Sequence, residues 1–387
     1  MVAEDVSGAT APAIEFVDEA PRVRAALDTV DGPVIGVDVE RADADRYFRR
    51  AALVQVGIAD RCVLLDAVTL TSLPELDALL DADHLAVLHA VENDLEPLAN
   101  LAVTPVHLAD TAVAAAVLGL PTGLSRLLPE VLGIDLTEDK EAFQRADWEA
   151  RPLSAPMAAY AAGDVVHLPA LWAELAARLA SAERGQWYDQ ELAATLDLAV
   201  RDTRDWTRVK GSGRLDPRQR AVLRAVWEAR ESEARTHDIA PNRLLHDDVL
   251  RDLAQDPPRT EAQLVRRSPR RRNLLRVHAG TLFDAVTAGL DAAPEPKPRS
   301  ARWSDADRAA HDALRSCRAE LARELAVEPG VLCPSKVLWD AVAGDPQDGV
   351  SLCRLAGLRQ WQTELLAEPL WEAYTSARDA HPAAEPA

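Results

Sequence analysis

The sequence predicts an α/β domain, a mixed sheet with helices packed on it, followed by two small all-α domains. Three observations carry this reading. In the first half, short β-rich runs alternate with helical patterns, and after about Tyr188 no convincing strand remains. A stretch rich in Pro and charge, "DAAPEPKPRS" (291–300), then divides the helical remainder into two blocks of similar length, about 215–290 and 303–380. At 387 residues the chain is too long for one ordinary core, so two or three domains are expected.

The elements follow in order. "PVIGVDVE" (33–40), "AALVQVGIA" (51–59) and "RCVLLDAV" (61–68) read as three successive strands with tight connections, hence antiparallel. "SLPELDALL" reads as a helix capped by Ser72. "HLAVLHA" (84–90) is a strand, "NDLEPLANL" (93–101) a helix and "VHLAD" (106–110) a short strand. From Thr111 to Arg184 the pattern is helical. Within it Ser154 is a candidate N-cap, with Pro156 tolerated in the first turn. "GSGRLDPRQ" (211–219) is a turn-rich break. We therefore expect a disordered N-terminus over 1–12, the α/β domain over 13–200, helical domains over 212–292 and 303–380, and a linker over 293–302. Two all-α blocks in tandem suggest a repeated small domain, although identity between them is weak.

Composition narrows the class. Hydrophobic residues make up 48% and charged residues 27%, the profile of a soluble globular protein. The N-terminus has no basic and apolar regions of a signal peptide, and "TAVAAAVLGL" is too short to span a bilayer. Cys62, Cys317, Cys333 and Cys353 form no CxxC pair, so reduced thiols, no disulfide partners and no zinc site of that type are expected. These features favour the cytoplasm and no membrane association. A net charge of −20 argues against wholesale wrapping of nucleic acid, but it is compatible with a local basic patch on an acidic body, and with carboxylates that collect metal.

Four carboxylates stand at element ends or on a helix of small residues. Asp38 and Glu40 are two apart at the end of an apolar strand, so both project from one face. Asp94 lies at a strand-to-helix transition, and Tyr160 and Asp164 are one turn apart on one helix face. Singly, each has a plain structural reading: a solvated strand end, an acid favoured by a helix dipole, a Tyr–Asp hydrogen bond closing a core. Together they would repel and raise each other's pKa unless cations compensate. Two divalent cations balance four carboxylates, and hard oxygen donors select Mg²⁺ or Mn²⁺. Such a pair suits in-line displacement at phosphorus.

The order Asp-x-Glu, the Asp of "HAVENDLEPL" and Tyr-x-x-x-Asp resembles the three motifs of the DEDD exonuclease superfamily, tyrosine subclass. "DTAVAAAVLG", "GLSRLLPEVLGIDLTEDKEAFQRADWEARPLS" and "YAAGDVVHLPAL" are similar to the ribonuclease D family specifically. The resemblance covers about Val34 to Leu171. The two helical blocks look like helicase-and-RNase-D C-terminal (HRDC) domains, with "LAVEPGVLCPSKVLW" (325–339) a typical stretch of the second. It implies an RNase H-like exonuclease fold in which Asp38, Glu40, Asp94 and Asp164 bind two divalent cations. Tyr160 then holds and orients the attacking water. The implied activity is 3′→5′ exoribonuclease trimming of structured RNA 3′ ends, such as tRNA precursors, with release of nucleoside 5′-monophosphates by a monomeric enzyme. The same chemistry on DNA is the nearest alternative. A catalytically weak nucleic-acid-binding scaffold is a third, against which all four carboxylates argue. Two positions depart from the family's frequent residues: Val39 stands where Thr is common, and Ala146 where Ser is.

Other features are open between binding and packing. Lys140, Gln144, Arg145 and Trp148 precede the Tyr160 helix and would line a substrate channel, or form a capped helix with a packed Trp. Leu53 and Gln55 lie on the strand after the acidic pair, where Gln55 would face a base or ribose. "LVRRSPRRRNLLRVH" (264–278) concentrates Arg266, Arg267, Arg270, Arg271, Arg272 and Arg276 and is the leading candidate for phosphate contact. His89 and His167 read as supporting or core residues.

Overall fold

The computed structural model describes residues 11–42, 45–81, 84–135, 143, 146–199, 204–297 and 303–381. The chain forms two compact units. One comprises Met1–Glu40, Ala52–Val200 and Ala301–Ala387; the other comprises Arg41–Ala51 and Arg201–Ser300.

In the first unit a six-stranded sheet has the order β1-β4-β3-β2-β5-β6. The strands are β1 (Ala13–Val17), β2 (Val34–Arg41), β3 (Ala51–Ile58), β4 (Arg61–Asp66), β5 (Leu85–Leu88) and β6 (Leu108–Asp110). β3 and β4 form the antiparallel hairpin that the sequence predicts, with Gln55 opposite Leu64. β1 pairs parallel with β4, and β5 pairs parallel with both β2 and β6, so the sheet is mixed. β1 and the following α1 (Ala20–Leu27) are elements that sequence patterning missed. β1 is an edge strand whose first four residues are only partly covered, so it shows no sustained apolar alternation.

Helices α2 (Pro74–Leu80), α3 (Leu95–Asn100), α4 (Thr111–Leu118), α5 (Leu124–Leu132), α6 (Ala155–Val166), α7 (Leu168–Ser181) and α8 (Gly185–Ala199) complete this part. Ser72 is not the cap of α2. Pro74 occupies the first helical turn, which moves the N-cap to Leu73, and Leu73 makes no side-chain cap. Ser154 does cap α6, its Oγ accepting the Met157 N–H at 3.4 Å. Asp110 caps α4 through the N–H groups of Ala112 and Val113.

The helical blocks prove to be one layout used twice. In the second unit run α9 (Pro217–Thr236), α10 (Pro241–Leu244), α11 (Asp247–Gln255), α12 (Glu261–Arg266) and α13 (Arg272–Asp291). In the first unit run α14 (Asp305–Glu324), α15 (Pro329–Leu332), α16 (Ser335–Ala343), α17 (Gly349–Leu355) and α18 (Gln360–Ala380), each starting 88 residues after its counterpart. A buried arginine marks the repeat. Arg230 donates to the Leu245 carbonyl at 2.9 Å and to Asp247, and Arg318 donates to the Cys333 carbonyl at 2.7 Å and to Ser335. The second copy packs on α8: Trp361 stacks on Trp187 with ring centroids 4.4 Å apart and donates its indole N–H to Glu191, which also pairs with Arg359. Among the described residues no helix is long and apolar enough to cross a membrane, and the four cysteines are free.

Candidate active site

The site is built where α6 lies directly on the sheet. A side chain on Gly36 would place its Cβ 2.2 Å from the Val165 carbonyl oxygen, and one on Gly57 would meet Val165 Cγ2 at 2.7 Å. Both glycines therefore face α6, and their lack of a Cβ is what allows the close approach. Side chains alternate along a strand, so Asp38 and Glu40 of β2 project to the same face as Gly36. Asp164 precedes Val165 on the helix. The outcome is that one carboxylate oxygen from each of Asp38, Glu40 and Asp164 lies within 4.8 Å of the others.

Asp94 lies outside this trio. It is 3% exposed and stands at the N-cap of α3. β5 runs parallel to β2 with Gly36 opposite Val87, so the chain leaves β5 toward Asp94 at the same end at which β2 carries Asp38. The turn between is fixed by Asp110, whose carboxylate accepts the N–H groups of Ala90 and Val91 at 3.2 and 2.8 Å. Ala90 there has a left-handed backbone, φ 62°. The Tyr188 hydroxyl in turn accepts the Asp110 N–H at 3.0 Å. Neither Asp110 nor Tyr188 was singled out from sequence; an acid immediately before the apolar helix "TAVAAAVL" was the available signal.

The electrostatics are those of a site built for cations. Burial pushes the Asp38 carboxyl up to about 6, against a partial lowering by the Val39 N–H. Asp164 is 9% exposed. Tyr160 is held well above the ordinary phenol range, first by burial, then by the negative charges of Asp164, Glu40 and Asp38, and by its hydrogen bond to Asp164. It is thus a neutral donor at physiological pH. Its ring lies 5.2 Å from Phe143 and 6.1 Å from Trp148, centroid to centroid.

Trp148 is 3% exposed, and its indole N–H donates to the Phe143 carbonyl at 3.1 Å, so it is placed as packing behind Tyr160. Lys140, Gln144, Arg145 and the side chain of Arg270 lie outside the described residues. Gln55 is fully buried on the α6-facing side of β3, and its amide meets no hydrogen-bond partner among the described residues. Arg151 emerges as a brace that sequence reading passed over. It donates to the Trp148 and Ala52 carbonyls at 2.8 and 3.0 Å and pairs with buried Asp66. Burial would raise the Asp66 carboxyl, but the Arg151 and Val68 hydrogen bonds more than offset it and hold it low. This brace ties the approach to α6 onto β3 and β4. His89 hydrogen-bonds Thr111 at 2.9 Å, and burial lowers the pKa of His167, which caps the end of α6.

The basic segment belongs to the second unit. Arg266 and Arg272 are exposed, Arg267 pairs with Asp256, and Arg271 donates to the Asn242 carbonyl. Arg271 and Arg272 line an open groove with Arg243 and Asn273.

Comparison with known proteins fits this architecture. A 3′-5′ exonuclease family model matches residues 14–180, and an HRDC model matches twice, at 219–282 and 307–374. A curated ribonuclease D of Pseudomonas paraeruginosa is 31% identical, over 95% of this chain and 99% of its own length. The chain belongs to the ribonuclease D family. A ribonuclease D of Sphingobium indicum is 36% identical over 60% of this chain and 61% of its own length. The crystal structure of Escherichia coli RNase D shares the fold, with a TM-score of 0.77 at 23% identity over 95% of this chain and 99% of that one. The chain is accordingly a 3′-5′ exonuclease, and the family's exonuclease domain works with divalent metal ions.

Proposed function

We propose that this ribonuclease D family member is a 3′→5′ exoribonuclease that trims structured RNA such as tRNA precursors and releases nucleoside 5′-monophosphates. The observation that carries the reading is the convergence of Asp38, Glu40 and Asp164 within 4.8 Å on one half-buried face, with Tyr160 bonded to Asp164. The donor set is all carboxylate oxygen, which fits Mg²⁺ or Mn²⁺ and not a softer metal. Asp38, Glu40 and Asp164 would hold one cation, and Asp38 with Asp94 a second. Bound there, the two cations supply charge neutralisation for an in-line displacement at phosphorus.

The chain's own residues do the rest. Asp164 accepts from the Tyr160 phenol and fixes its orientation. With its one O–H given to Asp164, the neutral phenol positions the attacking water through its oxygen. The Phe143 and Trp148 rings hold that phenol in place. Arg151 keeps the segment before α6 on the sheet. We assign residues 13–200 to the exonuclease domain, 212–292 and 303–380 to the helical domains and 293–302 to the linker between them. The arginines of the first helical domain contact the RNA body. The proposed setting is a cytoplasmic monomer.

The test is incubation of the purified chain with matched 3′-tailed RNA and DNA, each with and without Mg²⁺ or Mn²⁺. Stepwise shortening of RNA from the 3′ end with 5′-monophosphate products is expected. Preferential degradation of DNA, or products that carry 3′-phosphates, would overturn the assignment.

A further inference from the structure

The 88-residue repeat exposes three places where the second helical domain is sealed with leucine and the first carries metal-binding side chains. Glu233 and His237 stand one turn apart at the end of α9, and His278 faces them from α13. Their counterparts are Leu321, Leu325 and Leu366; Leu366 is fully buried in the second domain's core, with the other two packed against it. Placing the Glu233 carboxylate and the buried His278 imidazole where the second copy has leucine carries a desolvation cost that the second copy avoids. The groups also converge. His278 is 3% exposed, its Nδ1 is 2.6 Å from Glu233 Oε2, and His237 Nε2 is 3.7 Å from the same oxygen. The two rings meet edge to face, and one donor atom from each of the three residues lies within 4.8 Å of the others.

We propose that Glu233, His237 and His278 bind a transition-metal ion of the Zn²⁺ class that ties α9 to α13. Two imidazoles and one carboxylate are a set that Zn²⁺ takes tetrahedrally with water as the fourth ligand, whereas Mg²⁺ and Ca²⁺ prefer oxygen throughout. Bonds of about 2.0–2.1 Å at tetrahedral angles separate donors by roughly 3.3 Å. The observed 2.6 and 3.7 Å bracket that figure, so small side-chain rotations complete the site. His278 is fixed in the interior, and His237, half-exposed, leaves an entry path. His237 is also the C-cap of α9, where the helix dipole favours a cation. The next residue, Asp238, accepts the N–H groups of Tyr47 and Phe48, each at 3.1 Å, and pairs with Arg46. The metal would therefore rigidify the helix end that anchors this segment.

The full chain carrying Asp38→Asn and Asp164→Asn, which leaves only Glu40 of the carboxylate trio, is stripped with a chelator and titrated calorimetrically with Zn²⁺ under excess Mg²⁺. Hydrogen exchange is followed across α9 and α13. One Zn²⁺ per chain is expected, with slowed exchange around 233–237 and 275–282. Adding His237→Ala keeps the Glu233–His278 hydrogen bond and the apo melting temperature. It should weaken Zn²⁺ binding by at least about 100-fold, the upper range for losing a group that merely supports a ligand. Glu233→Gln should act in the same direction. Zn²⁺ binding that is absent, or unchanged by His237→Ala, would overturn the proposal and leave the trio as a hydrogen-bonded contact between two helices.

Discussion

The carboxylate trio and the arginine-rich turn treat like charge in opposite ways. Asp38, Glu40 and Asp164 are forced within 4.8 Å of one another on a partly covered face. Arg266 and Arg272 stand in solvent, while Arg267 and Arg271 are already satisfied by Asp256 and the Asn242 carbonyl. Convergent charge of one sign, drawn partly out of water, is eased by protonation or by a fixed counter-ion, so the trio is a place for chemistry. Dispersed exposed charge is screened by salt and attracts a polyanion weakly at many points, so the turn is a place for grip.

The comparison is broken most severely by removing one charge from the trio. Asp38→Asn, Asp94→Asn or Asp164→Asn keeps shape and loses the cation's partner, and each should abolish hydrolysis while RNA affinity, measured by filter binding, stays near wild type. Near-normal turnover in saturating Mn²⁺ would sink the metal assignment. Tyr160→Phe leaves the carboxylates in place and deletes one orienting hydroxyl. A loss on the order of 10²–10⁴-fold in kcat is expected, the range for such groups. An unchanged rate in single-turnover assays would make Tyr160 packing only.

Next in size is the turn itself. Arg270→Glu with Arg271→Glu and Arg272→Glu should raise KM on long structured RNA, flatten the salt dependence of binding, and leave kcat at saturation near wild type. Identical salt slopes for the two proteins would relocate the grip. The smallest effect concerns stability without metal. Burial raises the Asp38 pKa in the fold from its ordinary 3.8 to about 6. The folded state then binds a proton more tightly than the unfolded chain. Metal-free stability should fall as pH climbs from about 4 to about 6 and stay reduced above it. Asp38→Asn removes that loss, so in chelator its Tm should exceed that of wild type at pH 7 and converge with it below pH 4. Parallel Tm curves would contradict this.

Sequence spacing sufficed for the strand carrying Asp38 and Glu40, the Ser154 cap and the pairing of Tyr160 with Asp164, because each is decided within a few residues. What was illegible depends on partners far along the chain. The edge strand β1 gains its identity only by pairing with β4. Arg151 becomes a brace only because Asp66 and Ala52 arrive beside it, and Asp110 reaches back to the turn before Asp94. Gly36 and Gly57 look like ordinary strand glycines until α6 lies on them. The helical repeat was hard to see because Arg230 and Arg318 keep its frame while most other positions differ.

The central claim is that the trio works because it holds divalent cations. The most direct measurement counts Mn²⁺ bound per chain in wild type and Asp164→Asn, alongside release of 5′-monophosphate from the same samples. Wild type should bind Mn²⁺ at this site, and the variant should lose binding and product release together. A variant that has lost Mn²⁺ yet still releases 5′-monophosphate at the wild-type rate would contradict it.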